Sequence, residues 1–392
     1  MLETFYLTHK YLVEHNEAVV RRRLMDEVDW SDRLIAIKGS RGVGKTTFLL
    51  SYAKEHFGAD SRECLYVNFN NFYFAEHTIV EFAGEFVDNG GKTLLLDQIF
   101  KYHNWAKELR ACYDMYPTLQ IIFTGSTVMR VTEENPYLHD IVKMYNLRGF
   151  SFREYLNLQA GKAFPTYTLQ EIISNHENIA RDISNEVNPL WYFSDYLRHG
   201  YYPFFLEKRN FSETLLKTMN MMLEVDILLI TQIDTGYLEK IRKILYLMLE
   251  QSPCSLNVSR LSDAIDTSRA TIMNYIKYLK DARLLNLLYV EEKQYPQKPQ
   301  KVYMQNTNLL YALPTRQVSE IAVAETFFYN ALHSAHKINA TERTAQFVVD
   351  SHYYFNVVEH LSQKPFFRLT AVNNIEIGKA NQIPLWLFGF LY

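Results

Sequence analysis

The ten residues at positions 38–47, KGSRGVGKTT, restrict the fold of this chain more than any other stretch. They contain the spacing G-x-x-x-x-G-K-T between positions 39 and 46. An apolar run, LIAIKG, precedes the loop at 34–39, and the amphipathic segment TTFLLSYAKEHF follows it. A strand, a glycine-rich loop and a helix in this order predict a phosphate-binding loop in an α/β fold.

The chemistry of such a loop follows from its backbone. Glycines let the chain curl so that its N–H groups point inward, and the helix N-terminus adds partial positive charge. Lys45 is expected to reach the β- and γ-phosphates of ATP, and the Thr46 hydroxyl to bind Mg²⁺. The alternative is an ordinary glycine-rich turn. The predicted ATP-binding residues are Gly39, Ser40, Arg41, Gly42, Val43, Gly44, Lys45, Thr46 and Thr47.

Short apolar runs alternate with amphipathic segments up to about position 150, which predicts a parallel sheet flanked by helices. A turn at 89–91 precedes the third run. The predicted strands are 34–39, 64–70, 93–99, 121–127 and 144–150.

Two polar residues end predicted strands near the loop. Asp97 ends the third strand, where an acidic residue holds Mg²⁺ through water. A helix-capping aspartate is the alternative interpretation. Thr124 ends the fourth strand, where its hydroxyl would sense the γ-phosphate or position water.

Composition limits the remaining possibilities. A chain of 392 residues predicts two or three domains, and 48% hydrophobic with 22% charged residues is typical of a globular protein. The net charge of −3 gives no global basic field for nucleic acid, so any such contact must be local. Three dispersed cysteines favour a reducing compartment, and the longest apolar stretch, 383–392, is half a membrane span. These features predict a cytoplasmic protein without a membrane segment.

The second half has a different pattern. From about Ser151 it is helical, the segment QSPCSLN at 251–257 interrupts this run, and a compact helix pair follows. The polar segment EEKQYPQKPQ at 291–300 is predicted to be a linker or wing. The chain then ends in strand-like pieces, QFVVD, YYFNVV and PLWLFGFLY.

The helix pair is a candidate DNA-binding module. Ser268 suits the N-cap of its second helix, the helix that lies in the major groove in DNA readers. Residues 253–302 carry eight basic and five acidic residues, a net of +3, so phosphate affinity would be modest. Such a pair also serves as a protein-protein module or packs against an ATPase core. The candidate base-contacting residues are Arg269, Thr271, Asn274 and Lys277.

Four runs together resemble a large prokaryotic family of AAA-type P-loop ATPases in the AAA+ superfamily: KGSRGVGKTTFLL, LLLDQIFKYHNWAKELRACYDMYP, IIFTGST and NLRGFSFREYL. The runs LRHGYYPFFLE, KVYMQNTNLLYAL and IPLWLFGFLY, with the helix pair, resemble the C-terminal part of the same family. The resemblance implies ATP and Mg²⁺ as cofactors and an α/β fold. Its expected parts are a P-loop NTPase core with a five-stranded, mostly parallel sheet (1–150), a helical segment (151–250), a winged helix (251–302) and a small α+β endonuclease-like terminal domain (303–392).

The sequence departs from this family where the ATPase reaction would take place. The acidic strand usually ends Asp-Glu, but here Asp97 is followed by Gln98, whose amide cannot accept a proton. Losing a general base commonly costs about 10²- to 10⁴-fold in rate. The family's Ser-Arg-Arg stretch corresponds here to His139-Asp140-Ile141. The predicted catalytic residues are therefore Lys45, Asp97, Gln98 and Thr124.

A third departure lies in the terminal domain. The family pattern there is an aspartate followed by a strand bearing Glu-x-x-x-Lys, a nuclease-like metal site. Asp350 is present, but Asn356 and His360 take the places of the glutamate and the lysine. A nuclease is therefore disfavoured.

The leading hypothesis is an AAA-type protein that binds MgATP, hydrolyses it slowly or not at all, and couples binding to its C-terminal domains. The alternative is that Arg148, Arg153 or an acidic residue elsewhere substitutes for the missing groups and the enzyme turns over normally. The alternative function is a DNA-binding regulator with nucleotide as a structural or switching ligand. A protein partner or self-association is equally compatible with the sequence.

Overall fold

The computed structural model describes residues 2–133, 135–207, 209–230, 232–313, 317–341, 345–360 and 368–392. The chain divides into two compact units, residues 1–148 and 149–392. None of the helices in the described ranges combines the length and hydropathy needed to cross a lipid bilayer.

The first unit is built on a five-stranded sheet. Its strand order is β2-β3-β4-β1-β5, and every pairing is parallel. The predicted strands are thus confirmed, and the sheet expected to be mostly parallel is entirely so. Because β4 lies between β1 and β3, the carboxyl ends of these three strands meet at one edge. The strands are β1 (Leu34–Lys38), β2 (Cys64–Asn68), β3 (Thr93–Asp97), β4 (Gln120–Gly125) and β5 (Lys143–Asn146).

Helices pack against this sheet, and their buried apolar side chains form part of the core of the unit. Phe48, Leu49 and Tyr52, which helical spacing places on one face, are all buried. The turn predicted at 89–91 is present, with Gly90 at φ 85°. The α-helices of the unit are α1 (Leu2–Glu14), α2 (Leu24–Glu27), α3 (Lys45–His56), α4 (Ile79–Asp88) and α5 (Trp105–Met115).

The edge strand β2 is covered by α1. His9 of α1 is fully buried, and its Nδ1 accepts a hydrogen bond from the backbone N–H of Tyr66 at 2.9 Å. An edge strand carries backbone groups that have no partner in its own sheet, and here a side chain supplies one. Burial lowers the pKa of His9 to about 4, so the imidazole is neutral and can accept this bond.

The second unit contains a helical region, a hairpin and a second sheet. Its α-helices are α6 (Phe152–Ala160), α7 (Leu169–Glu186), α8 (Pro189–Asp195), α9 (Phe211–Met221), α10 (Leu238–Gln251), α11 (Val258–Ile265), α12 (Arg269–Asp281), α13 (Thr307–Leu310) and α14 (Glu320–Leu332). Its strands are β6 (Leu285–Leu288), β7 (Lys301–Met304), β8 (Ile338–Ala340), β9 (Phe347–Val349), β10 (Tyr353–Val358), β11 (Leu369–Val372) and β12 (Gln382–Pro384).

The predicted helix pair consists of α11 and α12, and both contact α10. Ser268 caps α12 as expected, because its side chain accepts the N–H of Thr271 at 3.1 Å. An antiparallel hairpin of β6 and β7 follows, and its connection contains residues 291–300.

The second sheet has the order β12-β11-β10-β9-β8, with parallel pairing among β10, β11 and β12 and antiparallel pairing elsewhere. The strand-like prediction for PLWLFGFLY is wrong, since Leu385–Phe390 forms a 3₁₀ helix in which every residue is buried. An apolar run without alternation cannot distinguish a buried strand from a buried helix. Packing decides here, with Trp386 Nε1 donating to the carbonyl of Ile375 at 3.2 Å.

Polar residues occupy the interior of this unit between β7 and α13. The segment QNTN at 305–308 is buried throughout. Gln305 donates to the Tyr201 hydroxyl at 3.0 Å, and Asn306 donates to the Tyr202 hydroxyl at 3.1 Å. Asn308 accepts the N–H of Tyr201 at 3.0 Å. Each buried amide is thereby paired, which fixes this segment against residues about a hundred positions earlier.

A buried carboxylate joins α14 to β7. The Glu325 side chain is 7% exposed and that of Lys301 is 31% exposed, with Nζ of Lys301 2.5 Å from Oε2 of Glu325. Tyr303 donates to the same oxygen at 3.2 Å, and Gln346 donates to Oε1 at 3.2 Å. Burial raises the pKa of Tyr303, so its phenol remains a donor.

Replacing Lys301 by Met should lower the free energy of unfolding by about 3 kcal/mol, because Glu325 would remain buried without its cation. The measurement is a urea titration of the full chain followed by circular dichroism. Lys162→Met is the matched control, since Lys162 pairs at 3.0 Å with Glu186 where both side chains are more than a third exposed. That control should change the free energy by no more than about 1 kcal/mol. Equal effects of both variants would contradict this account of Glu325.

His9 predicts a pH dependence of stability. Since its pKa is about 4 in the folded protein, the unfolded chain binds more protons between that value and the ordinary value of 6.5. The stability that depends on neutral His9 is therefore present above pH 6.5 and is lost as the pH falls toward 4, by about 3 kcal/mol at most. Urea titrations across this window should show the loss in the natural chain and a smaller one in His9→Asn, whose side chain does not titrate. Equal losses of stability in both proteins would contradict this role of His9.

Candidate nucleotide-binding site

The loop after β1 has the backbone that its glycines allow. Gly42 and Gly44 have φ of 83° and 94°, a region that residues with side chains rarely adopt. Gly44 is the N-cap of α3 and has no side chain to accept the N–H groups of the first helical turn. These groups belong to a twelve-residue helix whose N-terminus carries partial positive charge.

Gly39 is required for a different reason. A Cβ at this position would lie 2.6 Å from the carbonyl oxygen of Leu147, which follows β5. Only a residue without a side chain therefore fits where the segment after β5 approaches the start of the loop.

The side chain of Lys45 lies over the loop itself. Its Nζ donates to the carbonyl oxygens of Gly39 and Ser40, each at 2.8 Å. The ammonium is thus held at the mouth of the loop, within the set of residues that the sequence predicted.

Arg22 also holds the loop in place through hydrogen bonds to backbone carbonyls. Its guanidinium donates to the carbonyl of Val43 at 3.1 Å and to that of Arg148 at 2.6 Å. Arg22 lies in the segment before α2, outside every recognisable motif, so no sequence signal indicated its role.

Asp97 is the centre of the site. It is 1% exposed and lies at the end of β3, where it accepts the Thr46 hydroxyl at 2.7 Å on Oδ2. The Thr124 hydroxyl donates to Oδ1 at 2.5 Å. The structure therefore brings together Thr46, Asp97 and Thr124, which are far apart in sequence.

Two further donors reach the same carboxylate from β2. The Tyr66 hydroxyl donates to Oδ2 at 2.8 Å, and the Asn68 amide donates to it at 3.3 Å. Burial, and then the charge of Asp97, raise the pKa of Tyr66, so the phenol is a donor at neutral pH. Finding these two residues from sequence would have required the strand order, which places β2 beside β3.

Gln98 begins the segment after β3 in the left-handed region, with φ 59° and ψ 42°. Its backbone N–H donates to the Thr124 hydroxyl at 2.9 Å. In the part of the chain that the structure describes, the side chain of Gln98 makes no hydrogen bond. The residue in the place of the usual glutamate is thus fixed by its backbone and not by its amide.

Asp140, from the stretch without the family's arginines, and Arg153, one of the possible substitutes, both have protein partners. Asp140, in the stretch that lacks the family's arginines, accepts from Arg110 at 2.9 Å. Arg153 belongs to the second unit, where its Nε donates to the carbonyl of Tyr392 at 3.1 Å.

The nuclease-like residues of the terminal sheet also have separate partners. Asp350 Oδ2 lies 2.7 Å from Nδ1 of His336, Asn356 accepts the N–H of Gln346 at 3.1 Å, and His360 is exposed. Among the described residues, no group of three or more His, Cys, Asp and Glu side chains is arranged to hold a metal ion.

Comparison with known proteins covers both units. Residues 31–156 match a family model described as an AAA domain, and residues 190–320 match one described as a domain of unknown function. The uncharacterized protein MJ1637 of Methanocaldococcus jannaschii is 24% identical over 271 residues, which are 65% of this chain and 56% of that protein. The chain therefore spans little more than half the length of this relative.

Two solved structures superimpose on much of the chain with low scores. The Aeropyrum pernix ORC1 protein, in complex with DNA, gives a TM-score of 0.30 at 10% identity and covers 80% of this chain and 92% of its own. C. elegans PCH-2 gives a TM-score of 0.24 at 16% identity and covers 71% of this chain and 67% of its own. TM-scores this low do not establish a common fold.

The sequence match and the geometry agree on the first unit. Its parallel sheet, its glycine-rich loop and its buried aspartate have the arrangement that phosphate-binding α/β proteins use. The match of residues 31–156 to an AAA domain and the fold of the first unit thus fit a P-loop NTPase core.

Proposed function

We propose that this protein binds MgATP at residues 39–47 and that the bound nucleotide sets the conformation of its C-terminal part, with hydrolysis slow or absent. One observation carries the proposal: the Thr46 hydroxyl at the start of α3 donates to the buried Asp97 carboxylate at 2.7 Å. This contact connects the phosphate loop to the acidic strand, the two parts that together hold a nucleotide and its metal. Coupling to residues 151–250, 251–302 and 303–392 is part of the proposal.

The residues present fit Mg²⁺. Thr46 donates its only proton to Asp97, so the lone pairs of its oxygen remain for a cation, and hard oxygen donors are what Mg²⁺ prefers. Thr46 directly, and Asp97 through water, would hold Mg²⁺, whose charge would offset that of the nucleotide phosphates. Lys45 would exchange its two carbonyl partners for phosphate oxygens of higher charge.

Slow hydrolysis follows from Gln98. An amide at this position can orient a water molecule, but it cannot take the proton that the water must lose. Thr124 cannot take it either, because a neutral hydroxyl is too weak a base; this hydroxyl donates to Asp97 and accepts from the N–H of Gln98. The bound nucleotide would then act as a long-lived ligand.

Gln98→Glu should raise steady-state phosphate release at saturating MgATP by about 10²- to 10⁴-fold, because it restores a general base. Lys45→Ala provides the blank, and Gln98→Ala separates the effect of the base from that of side-chain size. Release by the natural chain well above the Lys45→Ala blank would show that another residue activates water. Failure of the natural chain to bind ATP at all would remove the proposed function.

The alternative, a DNA-binding regulator, receives less support from the contacts of α12. Asn274 accepts the hydroxyl of Tyr295, and Lys277 forms an ion pair with Asp281 at 2.9 Å and lies 5.7 Å from the Tyr295 ring centre. The Thr271 hydroxyl bonds to Ser268 at 2.8 Å. Three of the four candidate base-contacting side chains are thus engaged within the module, and the fourth, Arg269, is exposed.

Lys277→Glu should therefore leave retention on double-stranded DNA unchanged at low salt, as measured by electrophoretic mobility shift. Arg269→Glu, at the exposed start of the same helix, is the matched charge reversal. Loss of salt-sensitive retention in either variant would favour the DNA-binding alternative.

A further inference from the structure

The Oδ2 atom of Asp97 accepts more hydrogen bonds than it has lone-pair positions. Oδ2 receives Thr46 at 2.7 Å, Tyr66 at 2.8 Å and Asn68 at 3.3 Å, while Oδ1 receives Thr124 at 2.5 Å. A carboxylate offers about four lone-pair positions in total. Oδ2 therefore receives three donors for its two positions, while Oδ1 receives one donor and keeps one position.

Thr46, the proposed Mg²⁺ ligand, contacts Oδ2, so water on a Mg²⁺ ion held by Thr46 would compete for that oxygen. Thr46 would keep its bond to Asp97 while its oxygen ligates the metal, so its donor need not leave. Thr124 is fixed from a second side by the N–H of Gln98 at 2.9 Å. The donors that can give way are therefore the two from β2, Tyr66 and Asn68.

We propose that Tyr66, assisted by Asn68, competes with Mg²⁺-bound water for Asp97. This competition sets the Mg²⁺ concentration at which the site binds nucleotide. The proposal rests on MgATP being the ligand of residues 39–47. Tyr66 acts through Asp97 and does not touch the nucleotide, so it is a positioning residue.

The position of Tyr66 suits this role. Its backbone N–H is held by His9 at 2.9 Å, which anchors the residue on the covered edge of the sheet. The residue is buried, and its hydroxyl also accepts from the Asn68 amide at 3.3 Å. Loss of the bond from the phenol to Asp97 would leave this anchor of β2 in place, because His9 binds the backbone of Tyr66 and not its ring.

The test is a Mg²⁺ titration of the full chain with a fluorescent ATP analogue, read as anisotropy at constant ionic strength after removal of metal with EDTA. Tyr66→Phe deletes the competing donor and should lower the Mg²⁺ midpoint by roughly tenfold. Affinity for the analogue without metal should stay the same, since the phosphate loop is untouched. If the role of Tyr66 were purely structural, Tyr66→Phe would instead raise the Mg²⁺ midpoint or weaken binding of the analogue without metal.

Tyr52→Phe is the matched control. Tyr52 is also buried in the first unit, but its hydroxyl donates to Gln120 at 3.3 Å and makes no contact with Asp97. Its Mg²⁺ midpoint should equal that of the natural chain. Asn68→Ala is the second variant, which removes the weaker competing donor and should lower the midpoint by less than Tyr66→Phe.

The outcomes separate the two proposals. An unchanged or higher midpoint in folded Tyr66→Phe overturns the role of Tyr66, and the same result in Asn68→Ala does so if Tyr66→Phe fails to fold. No saturable binding of the analogue by the natural chain at any Mg²⁺ concentration overturns the proposed function instead.

Discussion

The buried Asp97 carboxylate is the interaction on which the first unit depends. A charge removed from water needs hydrogen bonds from every side, and this one obtains them from β2, from α3 and from the end of β4. The same contacts that make its burial tolerable also fix the phosphate loop relative to the sheet. The burial of this charge and the arrangement that we propose for Mg²⁺ therefore depend on one set of hydrogen bonds.

This shared use has a chemical consequence. Oδ2 of this carboxylate is fully occupied by protein donors, so under our proposal a cation at Thr46 would compete with those contacts. At the same site Gln98 supplies an amide where a base would be needed for rapid hydrolysis. These two features are the basis of our proposal that the domain holds nucleotide and hydrolyses it slowly.

In the second unit, too, buried polar groups are paired with hydrogen-bond donors and acceptors of the protein. Glu325 is neutralised by Lys301 and bonded by Tyr303, while the amides of the 305–308 segment bond to one another and to tyrosines. Charged and amide side chains that the sequence alone would suggest as ligand-binding groups are therefore already bonded within the protein. Asn274 and Lys277 of α12 illustrate the point, since both are engaged by neighbours in the module.

The sequence by itself determined the parallel sheet of the first unit, the loop at 39–47 and the cap at Ser268, because these follow from apolar periodicity, glycine spacing and local hydrogen bonding. It could not determine that β2 lies beside β3, since strand order depends on which faces pack together. Only the tertiary structure therefore decided that Tyr66 and Asn68 contact Asp97 and that Arg22 supports the loop. The same limit explains the error at Leu385–Phe390, where a uniformly apolar run takes its conformation from the surfaces around it.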